Sequence, residues 1–107
     1  MNNLPIVDAE ISIEPIGTSD TSMGKEIAAA YDAIRNIQKL KKVTLTPMST
    51  QIESDDLDDI LQAIRLAHNS AKSAGVKRII STIRIDERLD KPNTLEEKVQ
   101  SVKAKAS

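Results

Sequence analysis

Cysteine is absent from this chain, phenylalanine and tryptophan are absent with it, and Tyr31 is the only aromatic residue. Without thiols there can be no disulfide, no thiolate metal site and no cysteine nucleophile. Without a set of aromatics there is no platform on which the bases of single-stranded nucleic acid could stack. An excess of one charge is also missing. Fifteen basic residues face 16 acidic ones, a net charge of −1, so no overall field draws the chain to nucleic acid or anionic lipid. No apolar run approaches the roughly 18 residues that span a bilayer. The opening Met1-Asn2-Asn3-Leu4-Pro5 has neither the basic nor the apolar segment of a signal peptide. The expectation is a cytoplasmic protein with no cofactor, no metal, no nucleic-acid partner and no membrane partner.

What is present suits one ordinary folded domain over residues 1–107, with 39% hydrophobic and 29% charged residues. With so few aromatics, the core must be built from Ile, Leu, Val and Ala. Residues 6–14 alternate: Val7, Ala9, Ile11 and Ile13 on one side, Asp8, Glu10, Ser12 and Glu14 on the other. That is the period of a half-buried strand. Pro15 and Gly17 break it, and Thr21 or Ser22 offers an N-cap for a helix from Met23 to about Leu40. Ile27, Tyr31, Ile34 and Ile37 form the stripe of that helix.

Val43 and Leu45 mark a second strand, Pro47 to Ser49 a turn, and Thr50, Ile52 and Glu53 a third strand. Asp55 or Ser54 then caps a second long helix striped by Leu57, Ile60, Leu61, Ile64, Ala67 and Ala71, with Gly75 as its C′ residue. Ile79, Ile83 and Ile85 mark the inner face of a fourth strand. Thr94 and Glu97 read as a capping box for a last helix striped by Leu95, Val99, Val102 and Ala106. The order βαββαβ predicts an α+β, ferredoxin-like sandwich: a four-stranded antiparallel sheet, two helices on one face, and a short C-terminal helix. Strand one then lies beside strand four, and Glu10, Ser12 and Glu14 share the helix-free face with Thr82, Arg84 and Asp86. Thr44, Thr46, Ser49 and Gln51 make that face rich in short polar side chains. A bare face of this kind favours self-association.

The chemistry on offer is recognition more than catalysis. His68 is the only histidine and flanks the apolar stripe four residues after Ile64, and no serine stands in a Gly-x-Ser-x-Gly elbow. Asp55, Asp56, Asp58 and Asp59 lack the spacing and glycine of a calcium loop. They suit the first turn of a helix, where carboxylates complement the macrodipole. A small acylphosphatase-like hydrolase would need an arginine after strand one, and Glu14 to Ser22 contains none. Glu10, Glu14 and Asp86 with Arg84 remain as the main cluster. Spacing leaves two readings open: exposed cross-strand ion pairs, or a pocket for a polar heterocycle or organic cation.

Three strand ends stand out: Glu14-Pro15-Ile16-Gly17-Thr18, Thr46-Pro47-Met48-Ser49-Thr50, and Ile83-Arg84-Ile85-Asp86-Glu87-Arg88 running on to Asp90-Lys91-Pro92. Together with Ile52-Glu53 and Thr94-Leu95-Glu96-Glu97-Lys98, they resemble the small thiamine-binding protein family, from about residue 6 to residue 102. Ser49 stands where the family pattern usually has glycine. The resemblance implies a ferredoxin-like fold, a homodimer or homotetramer, and binding of thiamine or its hydroxymethylpyrimidine portion without catalysis. Carried onto this chain, it points to Glu14, Gly17, Thr18, Thr46, Ser49, Thr50, Arg84 and Asp86 as ligand-binding residues. Hydroxyls and backbone amides would bond the aminopyrimidine, and a carboxylate would balance the thiazolium charge. The alternative is a structural or regulatory homo-oligomer whose polar sheet face is a subunit interface.

Overall fold

A computed structural model describes residues 6–106. The elements run β1 (Val7–Ile16), α1 (Gly24–Arg35), β2 (Lys42–Leu45), β3 (Thr50–Ser54), α2 (Leu57–Ser73), β4 (Arg78–Glu87) and α3 (Leu95–Lys105). The four strands form one antiparallel sheet in the order β2-β3-β1-β4. This is the ferredoxin-like α+β arrangement expected from the spacing. No helix among the described residues is long and apolar enough to cross a membrane.

The alternation of β1 determines where the core lies. Val7, Ala9, Ile11 and Ile13 are buried against Ala30 and Ile34 of α1 and against Ile60, Ala63, Ala67 and Ala71 of α2. The last three, all fully buried, keep one face of α2 narrow. One ion pair and two hydrogen bonds then settle the start of that helix. Asp56, not Asp55 or Ser54, is the N-cap and accepts from the Asp58 N–H at 2.9 Å. Asp55 instead pairs with Lys41 at 2.8 Å, and Ser54 donates to Asp59 at 2.9 Å. Gly75 sits at C′ with φ +83°, the left-handed position that glycine takes without strain.

Three expectations shift. Helix α1 ends at Arg35, short of Leu40, because the Asn36 side chain turns back to donate to the Asp32 carbonyl at 3.0 Å. Leu40 still reaches the core through two tight turns. The N-cap of α1 is Met23, with no side-chain bond; the Ser22 hydroxyl accepts from the Gly24 N–H at 3.3 Å, one residue earlier in the chain. On β4, Ile83 and Ile85 face the helices as expected, yet they stay 36% and 43% exposed because β4 is an edge strand.

The C-terminal helix has the predicted capping box between Thr94 and Glu97. Its apolar stripe is not buried: Val99 and Val102 remain 52% and 67% exposed. Polar contacts hold it instead. The Leu95 N–H donates to Glu53 at 2.8 Å, and the Lys98 ammonium reaches the sheet. The helix therefore crosses one end of the face that α1 and α2 leave open.

Candidate functional site

The register of the sheet sorts the open face into rows. Asp8 of β1 lies between Glu53 of β3 and Asp86 of β4, and the next row aligns Thr44, Gln51, Glu10 and Arg84. These strands differ in length. β1 has ten residues and β3 five, so beyond Ile11 the β3 side of β1 has no paired strand among the described residues. There a cleft of about 340 Å³ opens between β1, α1 and the turn joining β2 to β3.

Each wall follows from local sequence. Met23, Ile27, Ala30 and Ile34 recur at helical spacing and line the α1 side. The turn is held by Thr46, whose hydroxyl donates to the Ser49 carbonyl at 2.8 Å and accepts from the Ser49 N–H at 3.1 Å. That closure pushes Met48 outward to 84% exposure at the lip of the cleft. Thr50 is buried at its base, and Glu14 is exposed at its rim. The Ser49 hydroxyl donates to Oε1 of Glu10 at 3.3 Å, and Oε2 of Glu10 faces Arg84 at 3.6 Å. Arg84 is thus linked to the lip through Glu10 while its own side chain stays mostly in solvent.

The eight expected binding residues do not converge on one point. Glu14, Thr46, Ser49 and Thr50 share the cleft. Arg84 and Asp86 line a separate, shallower hollow of about 420 Å³ beside Asp8, Glu10 and Lys98. Gly17, with φ +80°, and Thr18 line a third, at the start of α1 against the loop after α2. Thr18 is turned inward on its own loop, donating to the Asp20 carbonyl at 2.8 Å.

The hollow beside Asp8 has its own electrostatics. Asp8 is 2% exposed, and among the described residues its Oδ1 has no hydrogen-bond partner. Its Oδ2 accepts from the Lys98 ammonium, which also lies 3.3 Å from Asp86 and donates to the Asn93 carbonyl at 3.3 Å. Burial pushes the Asp8 carboxyl up to about 6, and neighbouring Glu53 adds to this; the ammonium of Lys98 opposes it without prevailing. Burial also disfavours the charge on Lys98, but the bonds to Asp8 and Asp86 outweigh it and hold the amine above its ordinary value. Beyond the strand, Arg88 and Asp90 pair through two bonds of 2.6 and 2.9 Å, which lowers the Asp90 carboxyl.

Sequence reasoning missed Met23 and Met48 as cleft residues, and it missed the Asp8–Lys98 contact. The spacing of Met23 from Ile27 was a usable signal for the first. Nothing local indicates the second, because Lys98 and Asp8 are 90 positions apart. Tyr31 is half-buried with the Arg35 guanidinium 5.8 Å from its ring centroid, and it does not line the cleft. His68 is likewise engaged elsewhere, with Nδ1 2.6 Å from the Ser81 hydroxyl on β4. Among the described residues no cluster of three or more His, Asp or Glu could hold a metal ion.

This arrangement has counterparts. A family model described as "Thiamine-binding protein" matches residues 9–103. A UPF0045 protein of Methanothermobacter thermautotrophicus is 35% identical over 100 residues, covering 94% of this chain and 99% of its own. The crystal structure of MJ1052 from Methanocaldococcus jannaschii superposes with a TM-score of 0.82 at 38% identity, over 92% of this chain and 96% of that one. A Thermotoga maritima structure, described as a candidate thiamine biosynthesis or salvage protein, gives 0.76 at 22% identity over 92% and 99%, a likeness of fold. The family match spans β1 to α3, all the elements that build the cleft and the latched helix over the open face, and on it the chain belongs to the thiamine-binding protein family.

Proposed function

We propose that this protein binds thiamine or its hydroxymethylpyrimidine half in the cleft between α1, β1 and the β2–β3 turn, and does no chemistry on it. The observation that carries this reading is the composition of the cleft. An apolar wall meets the hydroxyls of Thr46, Ser49 and Thr50, with the Glu14 carboxylate at the rim. Apolar walls with a few placed polar groups suit a small heterocycle, and a rim carboxylate suits the cationic thiazolium. The role is that of a cytoplasmic carrier or store for the vitamin or its pyrimidine precursor.

The decisive experiment is thermal unfolding with thiamine and, in parallel, with hydroxymethylpyrimidine. Ligand at about 100 times its dissociation constant adds roughly 2.7 kcal/mol, which for a domain of this size is a rise of about ten degrees or more. A rise with either compound supports the reading and ranks the two. No shift at millimolar concentrations of both sinks it.

Self-association is the second reading, and β4 favours it. This edge strand runs for ten residues and leaves Ile80, Ile83 and Ile85 partly exposed. Long apolar edges are rarely left unpaired in water. A homodimer or homotetramer through this region is compatible with a ligand in the cleft. Sedimentation across a hundredfold concentration range tests it, and a monomer throughout would exclude it.

A further inference from the structure

The main chain of β1 inside the cleft can be oriented from the turn. Thr46 donates its N–H to the Ser49 carbonyl at 2.8 Å, and Lys41 donates to the Glu53 carbonyl at 2.8 Å. Ser49 and Glu53 therefore turn their carbonyls toward β2. Main-chain groups alternate sides along a strand, so Thr50, Ile52 and Ser54 turn theirs toward β1. Their register partners are Ile11, Ala9 and Val7. By the same alternation, Ile13 and Pro15 point their main chain to that side too, where β3 has already ended. Pro15 agrees, since a residue without an N–H is tolerated where no ladder bond is asked of it.

We infer that Ile13 reads the ligand through its main chain. In this cleft its N–H and C=O stand side by side on the edge of β1 that β3 no longer pairs, since the β1–β3 register ends at Ile11. An extended residue offers a donor and an acceptor in the same direction. The complement is a planar heteroaromatic ring with an acceptor nitrogen next to an exocyclic amine. A peptide strand is a poorer occupant, because Pro15 cannot continue the ladder after Ile13. A single ring needs only the one pair. Met23 and Met48, 38% and 84% exposed, border the cleft with polarizable thioethers that can lie against a ring face. They supply a soft surface that Tyr31, covered by Arg35, does not.

This inference rests on the proposed cleft being the ligand site, and it deepens that reading by naming the feature of the ligand that is recognised. The test is amide NMR with hydrogen exchange, titrating hydroxymethylpyrimidine and its 4-oxo analogue, in which the amine is replaced and the donor–acceptor pattern reversed. The Ile13 amide should shift progressively to saturation and exchange at least about tenfold more slowly when bound. The 4-oxo analogue should bind at least about tenfold more weakly, as expected when buried main-chain groups lose their partners. Binding of the amino compound with an unmoved Ile13 amide, or equal binding of both compounds, overturns the inference. If neither hydroxymethylpyrimidine nor thiamine binds, 2-aminopyrimidine and adenine are titrated next. A saturating shift at Ile13 with either retains main-chain reading and removes the thiamine assignment; no shift with any of them removes both.

Discussion

Ser49 and Glu10, 39 positions apart, meet across the lip of the cleft, the serine hydroxyl donating to the carboxylate over 3.3 Å. The contact ties the β2–β3 turn to the central strand and, through Arg84, to the edge strand. Replacing Ser49 with Ala removes it at a partly buried position. Stability should fall by about 1 kcal/mol or less. Affinity for hydroxymethylpyrimidine should fall severalfold as the lip loosens, which calorimetric titration would measure; unchanged affinity would show that the turn holds its shape through Thr46 alone.

Charge should be read at Glu14 and not at Asp86. Glu14 is at the rim of the cleft, whereas Asp86 faces Lys98 in another hollow. Glu14→Gln should weaken cationic thiamine by roughly three- to tenfold, the scale of one exposed charge pair, and leave the neutral pyrimidine within about twofold. Asp86→Asn should leave both ligands within about twofold. A larger loss for Asp86→Asn would relocate the ligand to the open face.

Met48 offers a test free of folding effects. Its side chain is 84% exposed, so Met48→Ala should leave the melting temperature unchanged within a degree or so. Binding of a flat ring should weaken by about three- to tenfold if the thioether lies against it. Titration of the variant at unchanged stability separates the two quantities.

Asp8 gives the protein a pH dependence of definite sign. Its folded value of about 6 lies above the ordinary 3.8, so between these limits the fold holds a proton that the unfolded chain releases. The contribution of Asp8 to stability is therefore greatest below pH 4 and is lost as pH rises toward 6. Asp8→Asn cannot ionise. Its stability relative to the parent should climb across that window and level off above it, by something on the order of 2 kcal/mol. Urea unfolding of both proteins at pH 4.5 and pH 7.5 would show it, and a parallel dependence in the two would contradict the assignment.

Much of the fold was legible because its signals are local. The alternation of residues 6–14, the Ile60, Ala67 and Ala71 part of the α2 stripe, Gly75, and the Thr94–Glu97 box all describe contacts within a few positions. Leu57 and Leu61 of that stripe stay exposed, and Ala63 takes their place in the core. The end of α1 was not legible, since a side chain folding back from Asn36 outweighed an apolar stripe that continued to Ile37. The candidate site was legible in part. Thr46, Ser49, Thr50 and Glu14 gather where β1 outlasts β3, and that depends on strand lengths more than on motifs. Arg84 and Asp86 are two residues apart on one strand, yet they answer to different rows of the sheet, one to Glu10 and the other to Asp8. Both line the hollow beside Asp8 and Glu10, and nothing in their own stretch of sequence indicated that this hollow lies apart from the cleft.

The turn from Thr46 to Ser49 has a consequence for how this protein can change over evolutionary time. Its two central residues, Pro47 and Met48, decide which way every peptide of β3, and through it of β1, faces. One inserted or deleted residue there would shift the phase of pairing by a single step. The outline of the cleft could survive such a change while its lining main chain turned away. The loops before α1 and after β4 carry no such phase and are free to lengthen, so natural length variation should collect in them and be shunned at this turn.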